Sequence, residues 1–291
     1  MEPGEETMKK VCYYDNDLDG ISSAAIVRQR WPDAEFITAK RDELPPPAEE
    51  GQRTIVVDFS YPKEVMEQFR SAGQLIWIDH HKTAMEEMPD LWNDKTIPGV
   101  RLLTHSAAYL TWKTFHNKPV PLGIQLISDW DMWEFIEENT KEFNLAANLY
   151  LKTPDADGWF GILNNEMQTV RDYIDTGTIL RQTLELRVES SVKGKTEGRL
   201  VTQSPSPFPG IKTAFVNTNH DISDVPESLK ADYPLVCVWR VKGNKVLCSL
   251  RSSQIDVSEV AKQFGGGGHK YAAAFITNIK TFLEIAVFDW E

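Results

Sequence analysis

Acidic and histidine side chains close several short apolar runs in the first half of this 291-residue chain. Carboxylate oxygens together with imidazole nitrogens suit Mn2+, or Mg2+ with a weaker preference for imidazole. Two such cations about 3.5–4 Å apart can clamp a phosphoryl group and activate a water molecule. We therefore expect a centre for two divalent cations. The candidate residues are Asp15, Asp17 and Asp19 after VCYY, Asp58 after TIVV, Asp79, His80 and His81 after LIWI, and Asp129 after LGIQLIS.

Each of these positions also has an ordinary structural interpretation. A single Asp at the end of a strand is usually a helix N-cap or a turn residue. The run from Asp15 to Gly20 also resembles the start of a calcium-binding EF-hand loop. However, Ile26 stands where that loop needs a glutamate, and an apolar strand precedes it. The occurrence of all four positions in one chain favours the metal centre.

A run of four glycines marks the second half of the chain. Gly265, Gly266, Gly267 and Gly268 are followed by His269 and Lys270. The preceding helix can be capped by Asp256, with Glu259 as its capping-box partner. One glycine would be enough to end this helix, and each further glycine costs backbone entropy. The functional interpretation is a backbone that an anion approaches closely, and the alternative is a flexible hinge. Arg251 and Ser252, after the strand KVLCSL, favour phosphate binding, since arginine recognises phosphate through two parallel hydrogen bonds.

The elements that must position these residues alternate between strands and helices in the first half. Apolar runs at 11–14, 34–39, 54–59 and 74–79 read as strands, separated by helical patterns such as 61–73. This alternation predicts a parallel sheet with helices on its faces, whose active site lies just past the carboxyl ends of its strands.

The second half predicts helices and then a smaller α+β unit. Helical spacing covers 105–116, 124–136, 142–150 and a long connecting segment at 166–192. Breaks at 193–198 and 204–210 precede expected strands at 211–217, 235–241 and 245–251, with a hairpin turn at Gly243-Asn244.

Composition restricts the class of protein. Apolar residues make up 41% of the chain, and the length suggests two domains. A net charge of −12 argues against binding along duplex DNA. The three cysteines lack metal-ligand spacing and read as reduced thiols, and we find neither a membrane span nor a signal peptide, so we expect a cytoplasmic protein.

These motifs together resemble the DHH phosphoesterases, named for their Asp-His-His triplet, here Asp79 to His81. The second domain of that family, DHHA1, carries a GGGGH loop, here Gly265 to His269, after an SLRS-like strand end, here Ser249 to Ser252. The resemblance covers nearly the whole chain. It implies a Rossmann-like catalytic domain (8–165), a linker helix (166–192) and a DHHA1 domain (193–291) that binds substrate in a cleft. Relatives include nanoRNases, RecJ-type exonucleases, cyclic-dinucleotide phosphodiesterases, pyrophosphatases and polyphosphatases.

The resemblance also implies residue roles. It makes Asp58 the ligand that bridges two Mn2+ ions, with Mg2+ as the alternative metal, and places His81 and Asp79 in the catalytic group. The other implied metal ligands are Asp17, Asp19, His80 and Asp129. The implied substrate-binding residues are Arg251, Ser252, Gly265, Gly266, Gly267, Gly268 and His269.

One position departs from the family pattern. Many relatives have a histidine four residues before the first metal aspartate, where this chain has Tyr13. Asp15 lies between the two, as in the exonuclease branch, and we predict that it takes the histidine's place.

We expect hydrolysis of short oligonucleotides or small nucleotide phosphodiesters by a metal-activated water. The first alternative is cleavage of pyrophosphate or polyphosphate. The second is a nucleotide-sensing protein with a degenerate catalytic site, for which Tyr13 is the only support. Whether the chain forms a homodimer is left open.

Overall fold

The computed structural model describes residues 8–40, 42–202, 210–220 and 224–289. The chain divides into two compact units, Met1–Arg181 and Gln182–Glu291. Most of the break predicted at 204–210 lies outside the described residues. The expected fold class is confirmed, because the first unit has a parallel sheet with helices and the second has a mixed sheet with helices.

The sheet of the first unit has four parallel strands in the order β2-β1-β3-β4. The strands are β1 (Lys10–Tyr14), β2 (Glu35–Thr38), β3 (Arg53–Val57) and β4 (Gln74–Ile78). Side chains of a strand alternate between its faces. Cys12 and Tyr14 accordingly enter one hydrophobic cluster, while Val11 and Tyr13 enter the other. Both faces of the sheet are therefore covered, which explains why its strands read as continuous apolar runs.

Nine helices belong to the described part of this unit or connect it to the next. They are α1 (Leu18–Arg30), α2 (Lys63–Ala72), α3 (Lys82–Glu87), α4 (Pro89–Asn93), α5 (Ala107–Phe115), α6 (Leu122–Asp131), α7 (Thr140–Tyr150), α8 (Gly158–Leu163) and α9 (Met167–Lys193). Helix α9 passes the boundary between the two units at residues 181 and 182.

One predicted helix is shorter than expected. Helical spacing indicated 124–136, but α6 ends at Asp131 and the chain continues as a loop to α7. Trp133 and Phe135 have φ angles of 58° and 52°, which a right-handed helix cannot contain. Asp129 therefore lies on a helix and not at the end of a strand.

The second unit contains a seven-stranded mixed sheet in the order β11-β5-β6-β7-β8-β10-β9. The strands are β5 (Thr196–Leu200), β6 (Ile211–Asn217), β7 (Leu235–Lys242), β8 (Lys245–Arg251), β9 (Gly267–His269), β10 (Ala272–Asn278) and β11 (Ala286–Phe288). The three predicted strands correspond to β6, β7 and β8. The predicted hairpin is confirmed: Lys242 pairs with Lys245 around Gly243-Asn244, and Gly243 has φ 63°.

Three helices pack on this sheet: α10 (Asp224–Leu229), α11 (Val257–Lys262) and α12 (Ile279–Ile285). Asp256 caps α11 by accepting a hydrogen bond from the Ser258 amide at 3.0 Å, as predicted. Glu259 forms an ion pair with Lys262 at 2.6 Å. Within the described residues, no helix combines the length and apolar character needed to cross a membrane.

Candidate metal centre and phosphate-binding loop

The candidate metal centre lies where the strand order of the first sheet reverses. Strand β2 pairs with one edge of β1, while β3 and β4 continue from its other edge. Such a switch point opens a crevice at the carboxyl ends of the central strands. Asp15 follows β1, Asp58 follows β3, and Asp79 follows β4. The parallel sheet thus brings three distant sequence segments to one edge.

Asp19 is buried in the first turn of α1. Its two carboxylate oxygens accept hydrogen bonds from the amides of Ala107 and Ala108, at 2.7 and 3.0 Å, at the start of α5. A helix N-terminus favours a negative charge at this position. Burial nevertheless raises the pKa of Asp19, against the smaller opposing influence of His80. Gly20 is required beside it, because a Cβ there would lie 2.3 Å from the backbone oxygen of Asp15.

Three carboxylates converge on the imidazole of His80. Its Nε2 atom lies 3.2 Å from Asp58 Oδ1, 3.4 Å from Asp131 Oδ2 and 3.8 Å from Asp19 Oδ2. Among the described residues, two overlapping groups have the proximity needed to hold a metal ion. They are Asp58, His80 and His81, and Asp19, His80 and Asp131. The two groups overlap at His80.

The carboxylates at the centre lack the partners that buried charges need. Asp58 Oδ1 and Asp131 Oδ2 are buried and have no hydrogen-bond partner. Burial raises the pKa of Asp131 to about 8, and burial followed by the charge of Asp19 raises the pKa of Asp58 well above its ordinary value. Burial lowers the pKa of His80. Carboxyl groups held this close without compensation fit a site that divalent cations fill.

His81 is held by its neighbour Asp79. Asp79 is fully buried, and its Oδ1 atom accepts hydrogen bonds from the amides of His80 and His81, at 2.8 and 3.1 Å. The same oxygen lies 2.7 Å from Nδ1 of His81. This contact raises the pKa of His81 and directs its Nε2 atom away from Asp79. Asp79 thus positions the histidine through Oδ1, while its buried Oδ2 has no hydrogen-bond partner among the described residues.

Asp15 and Asp17 lie at the edge of the centre. Asp15 Oδ1 accepts the Asn16 amide at 2.7 Å, and its charge contributes to the raised pKa of His81. Asp17 is exposed and caps α1, accepting the Gly20 amide at 2.9 Å. Neither belongs to the two groups with metal-binding proximity. Their predicted roles as ligands stay predictions.

The structure does not bring Asp129 into the centre. Its Oδ1 accepts the Ile136 amide at 2.8 Å, while Oδ2 accepts the Glu137 amide at 3.1 Å and the Thr140 hydroxyl. Both oxygens are therefore committed to the loop after α6. Asp131, which the sequence interpretation missed, has the position expected for Asp129. Residues two apart on a helix face nearly opposite directions. Choosing between Asp129 and Asp131 as the candidate ligand therefore required knowing which face of α6 meets the sheet.

Tyr13 lies in the core on the other face of the sheet. Its ring stacks on Phe69, with centroids 5.4 Å apart, and meets Tyr61 edge-on at 5.5 Å. It is a packing residue, and the carboxylate cluster forms without it.

The glycine run forms an ordered edge strand and not a hinge. Gly265 has φ 75° and ends α11, while Gly267 and Gly268 pair with β10. A Cβ on Gly266 would lie 2.1 Å from the Ala274 oxygen, and Gly268 has φ 144°. A positive φ angle or close backbone packing therefore accounts for three of the four glycines. Gly267 has no heavy atom within 4 Å of a built Cβ, and its open space is where a ligand could approach the backbone.

Arg251 and His269 stand in one row across three strands. Ala272 on β10 is directly opposite Arg251 on β8 and directly opposite His269 on β9. Opposed residues of a sheet project to the same face. The small Ala272 thus separates a guanidinium from an imidazole on one face. Ser252, in contrast, uses its hydroxyl to hold the following turn, donating to Pro234 O at 2.7 Å and accepting the Gln254 amide at 2.9 Å.

Comparisons with known proteins agree with this architecture. Residues 212–286 match the model of the DHHA1 domain. A pGpG-specific phosphodiesterase of Vibrio cholerae shares the fold with a TM-score of 0.53 and 12% identity, covering 94% of each chain. The DHH domain of a member of the s1p family of ribosomal proteins has the same TM-score and 14% identity, covering 96% of this chain and 84% of that one.

Similarity in sequence extends to an uncharacterized protein of Acanthamoeba polyphaga mimivirus. The two are 29% identical over 282 residues, which cover 94% of this chain and 60% of the viral protein. A protein of Mycoplasma pneumoniae is 25% identical over 238 residues, covering 78% of this chain and 66% of its own. The chain therefore spans less than two thirds of the length of these relatives.

Fold and site define a two-unit α/β protein with a carboxylate–histidine centre in one unit and a glycine-rich edge strand in the other. Residues 212–286 match the DHHA1 domain, and the fold of the chain is similar to that of DHH-domain proteins, as the motifs predicted.

Proposed function

We propose that the protein is a metal-dependent phosphodiesterase that hydrolyses short oligonucleotides or small nucleotide phosphodiesters. The observation that carries the proposal is the convergence of Asp19, Asp58 and Asp131 on His80, with two buried carboxylate oxygens lacking partners. A folded protein rarely leaves such atoms uncompensated unless an ion or substrate supplies the partner.

The residues of the centre fit two divalent cations. Oxygen-rich sites with imidazole suit Mn2+, and Mg2+ is the alternative. Asp19, Asp58, His80 and Asp131 would hold these ions. When bound, such ions supply Lewis-acid polarisation of a phosphoryl oxygen and lower the pKa of water.

His81 is the residue best placed to handle a proton. Its Nδ1 is tied to the buried Asp79 at 2.7 Å, so its Nε2 is presented in a fixed orientation. We assign it to donating a proton to the leaving oxygen, or to stabilising charge on the phosphoryl group. Asp79 acts as the positioning residue.

The second unit supplies the proposed grip on a phosphate that does not react. The open backbone at Gly267 and the row of Arg251 and His269 offer amide, guanidinium and imidazole donors to an anion. A net charge of −12 favours a short substrate over a polymer. The similarity in fold to a pGpG-specific phosphodiesterase supports the same substrate class.

The test is hydrolysis of a substrate panel with Mn2+: dinucleotides, longer oligonucleotides, cyclic dinucleotides and pyrophosphate. Asp58→Asn should abolish most activity and keep the fold. Asparagine is chosen because Asp58 has φ 54°, a conformation that Asn tolerates better than Ala. Removing a crowded carboxylate should also leave the apo protein no less stable.

Asp90→Asn is the matched control, since Asp90 is an exposed aspartate of the same unit. It should retain wild-type rates. Near-normal turnover by Asp58→Asn with saturating Mn2+ would contradict the proposed centre. Preference for pyrophosphate over every nucleotide would instead assign the enzyme to phosphoanhydride cleavage.

A further inference from the structure

An aromatic cluster lies on the loop that follows the candidate metal residue Asp131. Trp133 is 71% exposed, and its ring centroid lies 4.8 Å from that of Phe135 and 5.8 Å from that of Trp130. Trp130 and Phe135 are themselves 5.6 Å apart. The two partly buried rings thus support the third, whose indole remains open to solvent. The described residues of the first unit leave most of this indole uncovered.

The backbone of this loop is held in an unfavourable conformation. Trp133 and Phe135 are both left-handed, with φ 58° and 52°, which is uncommon for bulky residues. The carboxylate of Asp129 fixes the segment by accepting the amides of Ile136 and Glu137. The buried aspartate thus holds the loop in one shape. A loop fixed at the expense of backbone strain is typical of a functional site.

The aromatic cluster is close in sequence to the candidate metal centre. Asp131 Oδ2 lies 3.4 Å from His80 Nε2, and Trp133 is two residues further along. Two residues span at most about 7 Å between Cα atoms. A phosphate at the carboxylate–histidine centre would therefore place the nucleoside attached to it within reach of the indole of Trp133.

We propose that Trp133, supported by Trp130 and Phe135, is the stacking surface for the nucleobase next to the phosphate that reacts. The inference rests on the proposed function and adds a residue that recognises the base. Stacking on an aromatic face tolerates every base, because each base has a π-face. The surface therefore selects for nucleotides over base-free phosphates and discriminates weakly among sequences.

The test compares a dinucleotide with its abasic counterpart, in which sugar and phosphate remain and the bases are absent. Trp133→Ala should lower kcat/KM for the dinucleotide by about 5- to 150-fold and change the abasic rate little. Trp133→Phe, which keeps an aromatic face, should recover most of the loss. Phe160→Ala removes an equally exposed ring, 72% exposed on α8, and should behave as wild type.

A second measurement keeps the inference independent of turnover. Fluorescence of 2-aminopurine riboside monophosphate, titrated with Mg2+ present, should be quenched on binding to wild type and not to Trp133→Ala. If wild type hydrolyses none of the nucleotides, the proposed function fails, and this titration alone decides the stacking site.

Three results would overturn the inference. Equal losses on both substrates would show that Trp133 only positions Asp131. Unchanged kcat/KM for the dinucleotide in Trp133→Ala would show that stacking on this loop does not contribute to turnover. Quenching retained in Trp133→Ala would exclude the indole as the stacking partner.

Discussion

Asp129 and Asp131 differ in their surroundings although they lie two residues apart on α6. The first accepts hydrogen bonds from two loop amides and a threonine hydroxyl, and the second points an unpartnered oxygen at His80. One carboxylate therefore organises a loop, and the other belongs to the proposed metal centre.

Neutral variants should separate these two carboxylates. Asp131→Asn should lose most Mn2+ affinity and turnover without lowering the Tm of the metal-free protein. Asp129→Asn should lower the Tm by several degrees, because a buried hydrogen bond to a charged group contributes about 1.5–3 kcal/mol. Isothermal titration with Mn2+ and thermal unfolding with a chelator measure the two effects.

The reverse pattern would restore the original assignment of Asp129. That would require Asp129→Asn to lose the metal at unchanged Tm, while Asp131→Asn binds Mn2+ normally. Loss of metal in both variants would show that the shape of the loop and the position of Asp131 cannot be separated.

At the scale of single residues, the sequence predicted much of the centre. Asp19, Asp58 and His80 were all found from acidic or histidine residues after apolar runs, and the structure brings them together. Asp131 was missed because the spacing of 124–136 fits a continuous helix. The left-handed turn that ends α6 depends on contacts made by Asp129, which periodicity does not report.

Among the elements, the glycine-rich strand β9 combines structural and functional requirements. Gly266, just before β9, packs too closely against Ala274 for a side chain, and Gly268 has a positive φ angle. Gly267 has open space where a side chain would stand. Arg251 and His269 share a face with Ala272 between them. The edge strand therefore leaves open space beside its backbone at Gly267, as the proposed anion site requires.

Removing either donor should distinguish binding from chemistry. Arg251→Ala and His269→Ala should reduce kcat/KM for a dinucleotide by roughly 10- to 150-fold, the value of a charge-assisted hydrogen bond. A small chromogenic phosphodiester, which has no second phosphate, should be cleaved as by wild type. Steady-state kinetics on both substrates provide the measurement.

Arg199→Ala, on strand β5 towards the opposite edge of the same sheet, is the control and should match wild type. Equal damage to both substrates would place Arg251 and His269 in the catalytic group. Unchanged dinucleotide kinetics would leave the glycines with a structural role alone.

Some elements could not be predicted from local sequence. Strands β5, β9, β10 and β11 contain glycine, alanine or only three residues, and they form because neighbouring strands supply their hydrogen bonds. Strands β1, β3 and β4 were predicted because burial on both faces makes their last three or four residues almost entirely apolar.

For the whole molecule, the metal-free centre should make stability fall as pH rises. The folded pKa of Asp131 is about 8 against an ordinary 3.8, because burial disfavours its charge. A raised pKa means that the folded state holds the proton more tightly than the unfolded state. The stability that protonated Asp131 contributes to the folded state is fully present below about pH 4 and is lost as pH rises to about 8.

Thermal unfolding with a chelator should therefore show a lower Tm at about pH 8 than at about pH 5.5, because both values lie within this window. Mn2+ should raise the Tm most at the higher pH, where the carboxyl groups are ionised. The decrease in metal-free Tm between these two pH values should be smaller in Asp131→Asn. A metal-free Tm that stays constant or increases over this range would contradict the raised pKa.

The hydrogen bonds from Ala107 and Ala108 to Asp19 join positions 88 and 89 residues apart. On the ribosome, at about 5–20 residues per second, the chain needs roughly 6–23 s to grow from Asp15 to Asp131. A nascent chain that ends before α5 presents Asp19 without its amide partners and lacks Asp131 altogether. Capture of metal at the proposed centre would therefore have to wait until α5 and α6 have emerged, and an arrested fragment containing the Asp-His-His triplet should not hold the ions.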